Sequence, residues 1–114
     1  MQHCNTSWGG EHAIYRGTTP TITIETDTDL REAQYVVVTI EDFAKNEINV
    51  DSKSGNLTIT ASSVMAKLTQ AQTLQLTKGR ASIQIRAVDA SGNAIASNVM
   101  STQINDVLKD GEIP

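Results

Sequence analysis

Apolar and polar residues alternate along this chain in short runs separated by clusters of turn residues. The clearest run spans residues 81–88. Ala81, Ile83, Ile85 and Ala87 share one side, and Ser82, Gln84, Arg86 and Val88 share the other. A period of two marks a strand with one face in a core and one in water. Asp89-Ala90-Ser91-Gly92-Asn93 follows as a turn. Gly92 and Asn93 tolerate positive φ there, and Asp89 can accept hydrogen bonds from the main chain just ahead of it. Ala94–Ser97 then reads as a short strand, and Met100, Thr102 and Ile104 form a second alternating set. A hairpin of this kind is not stable alone in water, so further strands must cover its apolar face.

Those strands lie upstream. Residues 14–20 predict a short extended piece broken by Gly17 and Pro20. Thr21–Thr26 places Ile22 and Ile24 inward and β-branched threonines outward. As an edge it would be open to strand addition by another chain, or it would be covered by residues 1–13. Asp27-Thr28-Asp29 is a turn, and residues 30–33 form either one helical turn capped by Asp29 or a loop. Tyr35–Asp42 is the most apolar run, with Val36, Val38 and Ile40 on one face. Val37 on the other face predicts a central strand. Ile48 and Val50 mark a short strand, and the turn Asp51-Ser52-Lys53-Ser54-Gly55-Asn56 leads to residues 57–60, which are expected to close that hairpin with Leu57 and Ile59 inward. Residues 61–67 fit either a bulged extension of that strand or an edge. Thr69, with Gln72 three residues on, is a capping box and predicts a short helix, with Gly79 as its left-handed stop. Leu68, Leu74 and Ala71 are expected to plug one end of the core.

The pattern predicts an all-β chain: an antiparallel immunoglobulin-like β-sandwich of about seven strands with one short helix. A small barrel is the main alternative. The division is a flexible leader or arm at 1–13, where no period is visible, a β-sandwich domain at 14–108, and a tail at 109–114. A chain of 114 residues holds one ordinary core. Aromatic residues make up only 4%, so that core must be aliphatic.

Charge and composition narrow the function. The net charge is −4 with no basic cluster, which argues against nucleic acid as a partner. No apolar run is long enough to span a bilayer, and no signal-peptide pattern is present, so synthesis in a bacterial cytoplasm is the expectation. The single cysteine, Cys4, cannot form an internal disulfide. His3, Cys4 and His12 are metal-ligand types, but three at irregular spacing do not make a zinc site, and no metal or cofactor is expected. Asp27, Asp29 and the 51–56 turn hold oxygen ligands for a weak calcium site, but the EF-hand spacing is missing and Lys53 opposes a cation. Both histidines lie in the leader, so a His-activated nucleophile in the body of the fold is not available. The acid pairs Asp27/Asp29 and Glu41/Asp42 sit at turns or strand ends rather than facing each other across a cleft. No enzyme is expected. Arg16 and Arg86 are the expected partner contacts, since arginine is enriched at binding hot spots. A solvated strand face is the plainer role for Arg86.

Three pieces together resemble a known family. Ile14-Tyr15-Arg16-Gly17-Thr18-Thr19-Pro20-Thr21-Ile22 opens it, and Leu68-Thr69-Gln70-Ala71-Gln72-Thr73-Leu74 lies in the middle. Ile83-Gln84-Ile85-Arg86, Ala96-Ser97-Asn98 and Asp106-Val107-Leu108-Lys109-Asp110-Gly111 close it. Their order and spacing resemble small proteins encoded in the structural-gene region of tailed phages and prophages of Gram-positive bacteria. The layout is similar to the β-sandwich domain at the start of siphophage baseplate upper proteins. The resemblance covers about residues 14–112, and residues 1–13 depart from the family, which usually begins near the first motif. It implies a virion structural protein of tail, baseplate or neck, with other phage structural proteins or its own copies as partners, and it transfers no functional residues. The alternative is an immunoglobulin-like carbohydrate- or cell-surface-binding module, for which Trp8, Tyr15, Tyr35 and Phe43 are the available aromatics.

Overall fold

The computed structural model describes the backbone of residues 2–4 and 6–8 and all of residues 13–114. In chain order the strands are β1 (Gln2–Cys4), β2 (Thr6–Trp8), β3 (Ile14–Tyr15), β4 (Thr21–Thr26), β5 (Tyr35–Asp42), β6 (Glu47–Asp51), β7 (Leu57–Ile59), β8 (Ser63–Lys67), β9 (Gly79–Val88), β10 (Ala94–Ser97) and β11 (Met100–Asn105). Helix α1 (Gln70–Leu74) lies between β8 and β9.

Two sheets result. In the first, β5 runs antiparallel to β9 from Tyr35↔Val88 to Asp42↔Ala81, and β6 pairs with the far side of β5. The other edge of β9 is divided. β11 covers it from Gly79 to Ile83, and β10 from Arg86 to Val88. Outside these lie β3, parallel to β11, and β1, parallel to β10. The second sheet, ordered β2-β4-β8-β7, is antiparallel throughout. The turn at 51–56 therefore crosses between the sheets, and the hairpin expected there does not close: β6 pairs with β5 and β7 with β8.

The chain is therefore mostly β, in two sheets, as the alternation predicts. Two further expectations change. The first sheet is mixed rather than antiparallel, because β1 and β3 come from early in the chain and lie beside late strands that run the same way. The aperiodic segment 1–13 contributes two strands, joined through main-chain pairing that leaves no hydrophobic period to read. Of the two alternatives for Thr21–Thr26, cover by residues 1–13 is the one observed: β8 takes one side and β2 covers Ile24–Thr26 on the other.

The core forms where the inward residues of the two sheets meet. Ile22, Ile24, Val64 and Ala66 of the second sheet join Val36, Val38, Ile40, Ile83, Ile85 and Ile104 of the first, all essentially inaccessible to solvent. Burying each valine or isoleucine of this set contributes about 1.5–3 kcal/mol. No aromatic residue joins that set among the described residues, and Phe43 is 65% exposed.

Helix α1 has the predicted capping box. The Gln72 N–H donates to Thr69 Oγ1 at 3.1 Å, and the Thr69 N–H donates to Gln72 Oε1 at 2.9 Å. The plug differs from expectation. Leu68 and Leu76 are buried, Leu74 is half-buried and Ala71 is exposed. The helix is too short to bury a stripe, and its one buried residue is Thr73. Thr73 Oγ1 accepts from the Thr18 N–H at 3.1 Å and donates to the Thr18 carbonyl at 2.9 Å, standing in for a strand partner. Gly79 does not stop this helix. It opens β9 at φ +132°, where a Cβ would lie 3.0 Å from the Phe43 ring.

One buried carboxylate ties the β5–β6 turn to the segment before β9. Asp42 is 2% exposed. It accepts from the Ala44 and Asn46 N–H groups at 2.9 Å, from Asn46 Nδ2 at 2.9 Å, and from the Thr77 N–H at 2.7 Å. Burial pushes its pKa up, but the hydrogen bonds from Asn46, Thr77 and Ala44 outweigh burial and hold it below the ordinary carboxylate value. A group with a depressed folded pKa contributes stability above its unfolded pKa and loses it as pH falls through the folded value.

Asp42→Ala should cost about 3 kcal/mol in urea unfolding, since it orphans several donors at once. The wild type should also lose its stability advantage over Asp42→Ala on acidification below pH about 4. A constant difference between the two proteins down to pH about 2 would rule out this role. In the same turn, Lys45 holds φ 70° without being glycine. Lys45→Gly should raise stability by about 1 kcal/mol in the same assay, by relieving left-handed strain.

Candidate functional site

The two arginines singled out by residue type occupy different surroundings. Arg16 follows β3 and reaches toward the end of α1 and the segment after β11, its side chain only 20% exposed. Its Nε donates to the Leu76 carbonyl at 2.8 Å and its Nη2 to the Leu74 carbonyl at 3.0 Å. Its Nη1 donates to Asp106 Oδ1 at 2.7 Å, with Asp110 at 3.7 Å. A planar fork of donors suits this use, because it satisfies carbonyls left over at the end of α1 and a carboxylate together. Hydrogen bonding to Arg16, reinforced by the Val107 N–H, holds the Asp106 carboxyl below its ordinary pKa. The segment after β11 is fastened again further on, where Gln70 Nε2 donates to the Ile113 carbonyl at 3.0 Å and Gln70 Oε1 accepts from the Ile113 N–H at 2.9 Å. Each guanidinium nitrogen of Arg16 thus has a partner within the chain.

Arg86 points outward from β9 and is exposed. Among the described residues its guanidinium makes no ion pair or side-chain hydrogen bond. It lines an open groove of about 630 Å³ on the outer face of the first sheet. The strand period builds this groove. Tyr35, Val37, Thr39 and Glu41 come from β5, Glu47 and Asn49 from β6, and Ser82, Gln84 and Arg86 from β9. The register sets them in rows, Asp51–Val37–Arg86 and then Asn49–Thr39–Gln84.

Most polar groups in the groove already hold one another. Thr39 Oγ1 donates to Asn49 Oδ1 at 2.6 Å, and Asn49 Nδ2 donates to Glu47 Oε1 at 3.0 Å. The Tyr35 hydroxyl donates to Asp51 Oδ2 at 2.9 Å, and Lys53 Nζ sits 5.8 Å from the ring centroid. The hydrogen bond to Asp51, with burial and the Asp51 charge adding to it, raises the Tyr35 pKa, so the hydroxyl stays protonated through the neutral range. Gln84 Nε2 donates to the Ser97 carbonyl at 2.9 Å. Such a face offers a preset pattern of amide, hydroxyl and carboxylate groups with Arg86 as its unengaged cation.

Ser97 also shapes the groove, a role sequence reasoning missed. The register of β9 shifts by one residue between Ala96↔Arg86 and Met100↔Ile83, which is a β-bulge. At the break the Ile85 N–H donates to Ser97 Oγ at 2.9 Å, and Ser97 Oγ donates to the Asn98 carbonyl at 2.8 Å. The bulge turns Val99, 59% exposed, into the groove wall. The interruption of alternation between Ser97 and Met100 was the available signal.

The acidic turns weighed for calcium are otherwise occupied. Asp29 pairs with Arg31 at 2.7 Å, and Asp51 Oδ1 accepts from the Lys53 N–H. The Arg31 hydrogen bonds lower the Asp29 pKa. Among the described residues no group of three or more His, Cys, Asp or Glu is placed to hold a metal ion. His12 and the side chains of His3, Cys4 and Trp8 lie outside the described residues. No helix among the described residues is long and apolar enough to cross a membrane. No known protein family matches the chain, and no curated protein does.

Arg16→Lys should lose about 2 kcal/mol, because a point charge cannot serve two carbonyls and a carboxylate together. Trypsin should then cut after Lys109 faster relative to Lys53 than in the wild type. Unchanged relative cleavage in a mass-resolved time course would refute the clamp.

Proposed function

We propose that this protein is a non-enzymatic structural subunit of a phage or prophage particle, in the tail, baseplate or neck. It acts through protein–protein contacts, within an immunoglobulin-like sandwich fold. The observation that carries this reading is where the resembling motifs meet. Arg16 of the opening motif binds Leu74 of the middle one and Asp106 and Asp110 of the closing one. Ile85 and Gln84 likewise bond Ser97. The order and spacing of these pieces are thus held by physical contacts within the chain, which supports reading them together as one framework. The preset outer groove around Arg86 supplies a surface for a neighbouring subunit, and the particle is the expected location.

A second reading is the carbohydrate- or cell-surface-binding module, favoured by Tyr35 lying among the amides of the groove. Against it, the Tyr35 hydroxyl is already bonded to Asp51, and the exposed rings of Tyr15 and Phe43 lie outside the groove.

Mass spectrometry of gradient-purified particles from an induced culture should find the protein at fixed stoichiometry with tail proteins. Absence from particles that contain the other virion proteins would overturn the particle reading. Hits on a glycan array, lost in Arg86→Glu, would favour the second.

A further inference from the structure

The outermost strand of the first sheet, β6, presents unpaired main chain along its length. Its phase on β5 is fixed at both ends. The Ser52 N–H donates to the Val36 carbonyl at 2.8 Å, and the Asp42 N–H donates to the Asn46 carbonyl at 3.0 Å. Hydrogen-bonded positions therefore fall at Val38/Val50 and Ile40/Ile48. The N–H and C=O groups of Glu47 and Asn49, and the N–H of Asp51, point away from β5. The Asp51 carbonyl is taken by Ser54. No other described residue satisfies the Glu47 and Asn49 groups.

At five residues, β6 is longer than the other outer strands, β1, β2, β3 and β7, which have two or three. Natural edges of this kind are commonly guarded by charge, and here the charge is one-signed. Glu47 and Asp51 stand on the outer face on either side of Asn49. Antiparallel pairing of two copies centred on Asn49 would set Glu47 against Asp51 of the other copy. Like charges directly opposite are destabilising, so a second copy is disfavoured as the occupant. The same two carboxylates favour a strand with basic residues four apart. Such a strand would set its intervening apolar side chains beside Ile48 and Val50, continuing the core side of the sheet.

We infer that β6 is a docking edge for an extended, basic segment of a different protein, added antiparallel with Lys or Arg opposite Glu47 and Asp51. Main-chain hydrogen bonds give the contact its geometry, and the carboxylates give it selectivity. The inference does not depend on the particle assignment, since the edge would take such a segment in any setting.

The test uses the full chain and the acetylated peptide Thr-Lys-Val-Thr-Val-Lys-Thr, with a control in which both Lys are Glu. Amide NMR titration should shift the Glu47, Asn49 and Asp51 signals and slow exchange of their protons, with the Lys peptide only. Glu47→Lys should weaken that binding about fivefold, the change expected when an exposed attraction becomes a repulsion. Asn49→Pro removes a main-chain donor that no described residue uses, so it should keep the fold, judged by an unchanged amide spectrum elsewhere, and lose the peptide. Equal binding of both peptides, shifts confined to other residues, or no shift up to millimolar peptide would each overturn the inference. A dimer of the unmodified chain in sedimentation, abolished by Asn49→Pro, would overturn the choice of occupant. Particle composition has no bearing on these readouts, so failure here leaves the proposed function standing.

Discussion

Strand β9 has more backbone to satisfy than any single neighbour covers. One edge is met along nearly its whole length by β5. The other is met twice, by β11 and then β10, and between them the ladder breaks. An unmatched buried donor costs roughly 1–3 kcal/mol, so the break needs a substitute acceptor. Ser97 Oγ is that acceptor. Because the gap is filled by a side chain, the chain can bulge there, displace Val99 outward and still resume pairing at Met100. The division of the sheet beyond β9 and the wall of the outer groove follow from this one accommodation.

Elsewhere the two sheets and their connections are tied by ionic groups with several partners each. Asp42 gathers donors from its own turn and from Thr77, and Arg16 gathers acceptors from α1 and from the segment after β11. Neither is a simple ion pair. Asp42 is buried with no cation beside it among the described residues and is held by directed N–H groups, while two of the three hydrogen bonds of Arg16 go to carbonyls. Both arrangements join parts of the chain far apart in sequence, and both would be poorly served by a residue of the same charge and a different shape.

How much was legible follows from the reach of each interaction. The strands that alternate, Tyr35–Asp42 and residues 81–88, could be read directly, because their faces are set by a period of two and checked by burial of every second residue. The Thr69/Gln72 box could be read because both partners lie within one helical turn. Residues 2–4 and 6–8 could not, since main-chain pairing leaves no mark on side-chain identity. Gly79 misled for a related reason. Its positive φ was foreseeable, but whether it ends a helix or begins a strand under Phe43 depends on a residue 36 positions away (79 against 43). The candidate site was legible only as residue type. Arg16 and Arg86 look alike in sequence. The partners that engage Arg16 lie 58, 60 and 90 residues away, so nothing local distinguishes it from Arg86.

The parallel pairs carry a consequence for how the chain comes off the ribosome. β1 pairs with Ile95–Ser97, β3 pairs with Ile104 and Asn105, and Arg16 waits for Asp106. Strands synthesised ahead of the rest of this fold are therefore among the last to find their places. Long-range pairing of this kind carries its loop-closure cost before any contact repays it. Until the last strands emerge, the threonine-rich edge of β4 has no β2 fixed in place by a completed first sheet. A nascent intermediate in which β4 and β8 have paired alone would display that edge to its neighbours on a polysome.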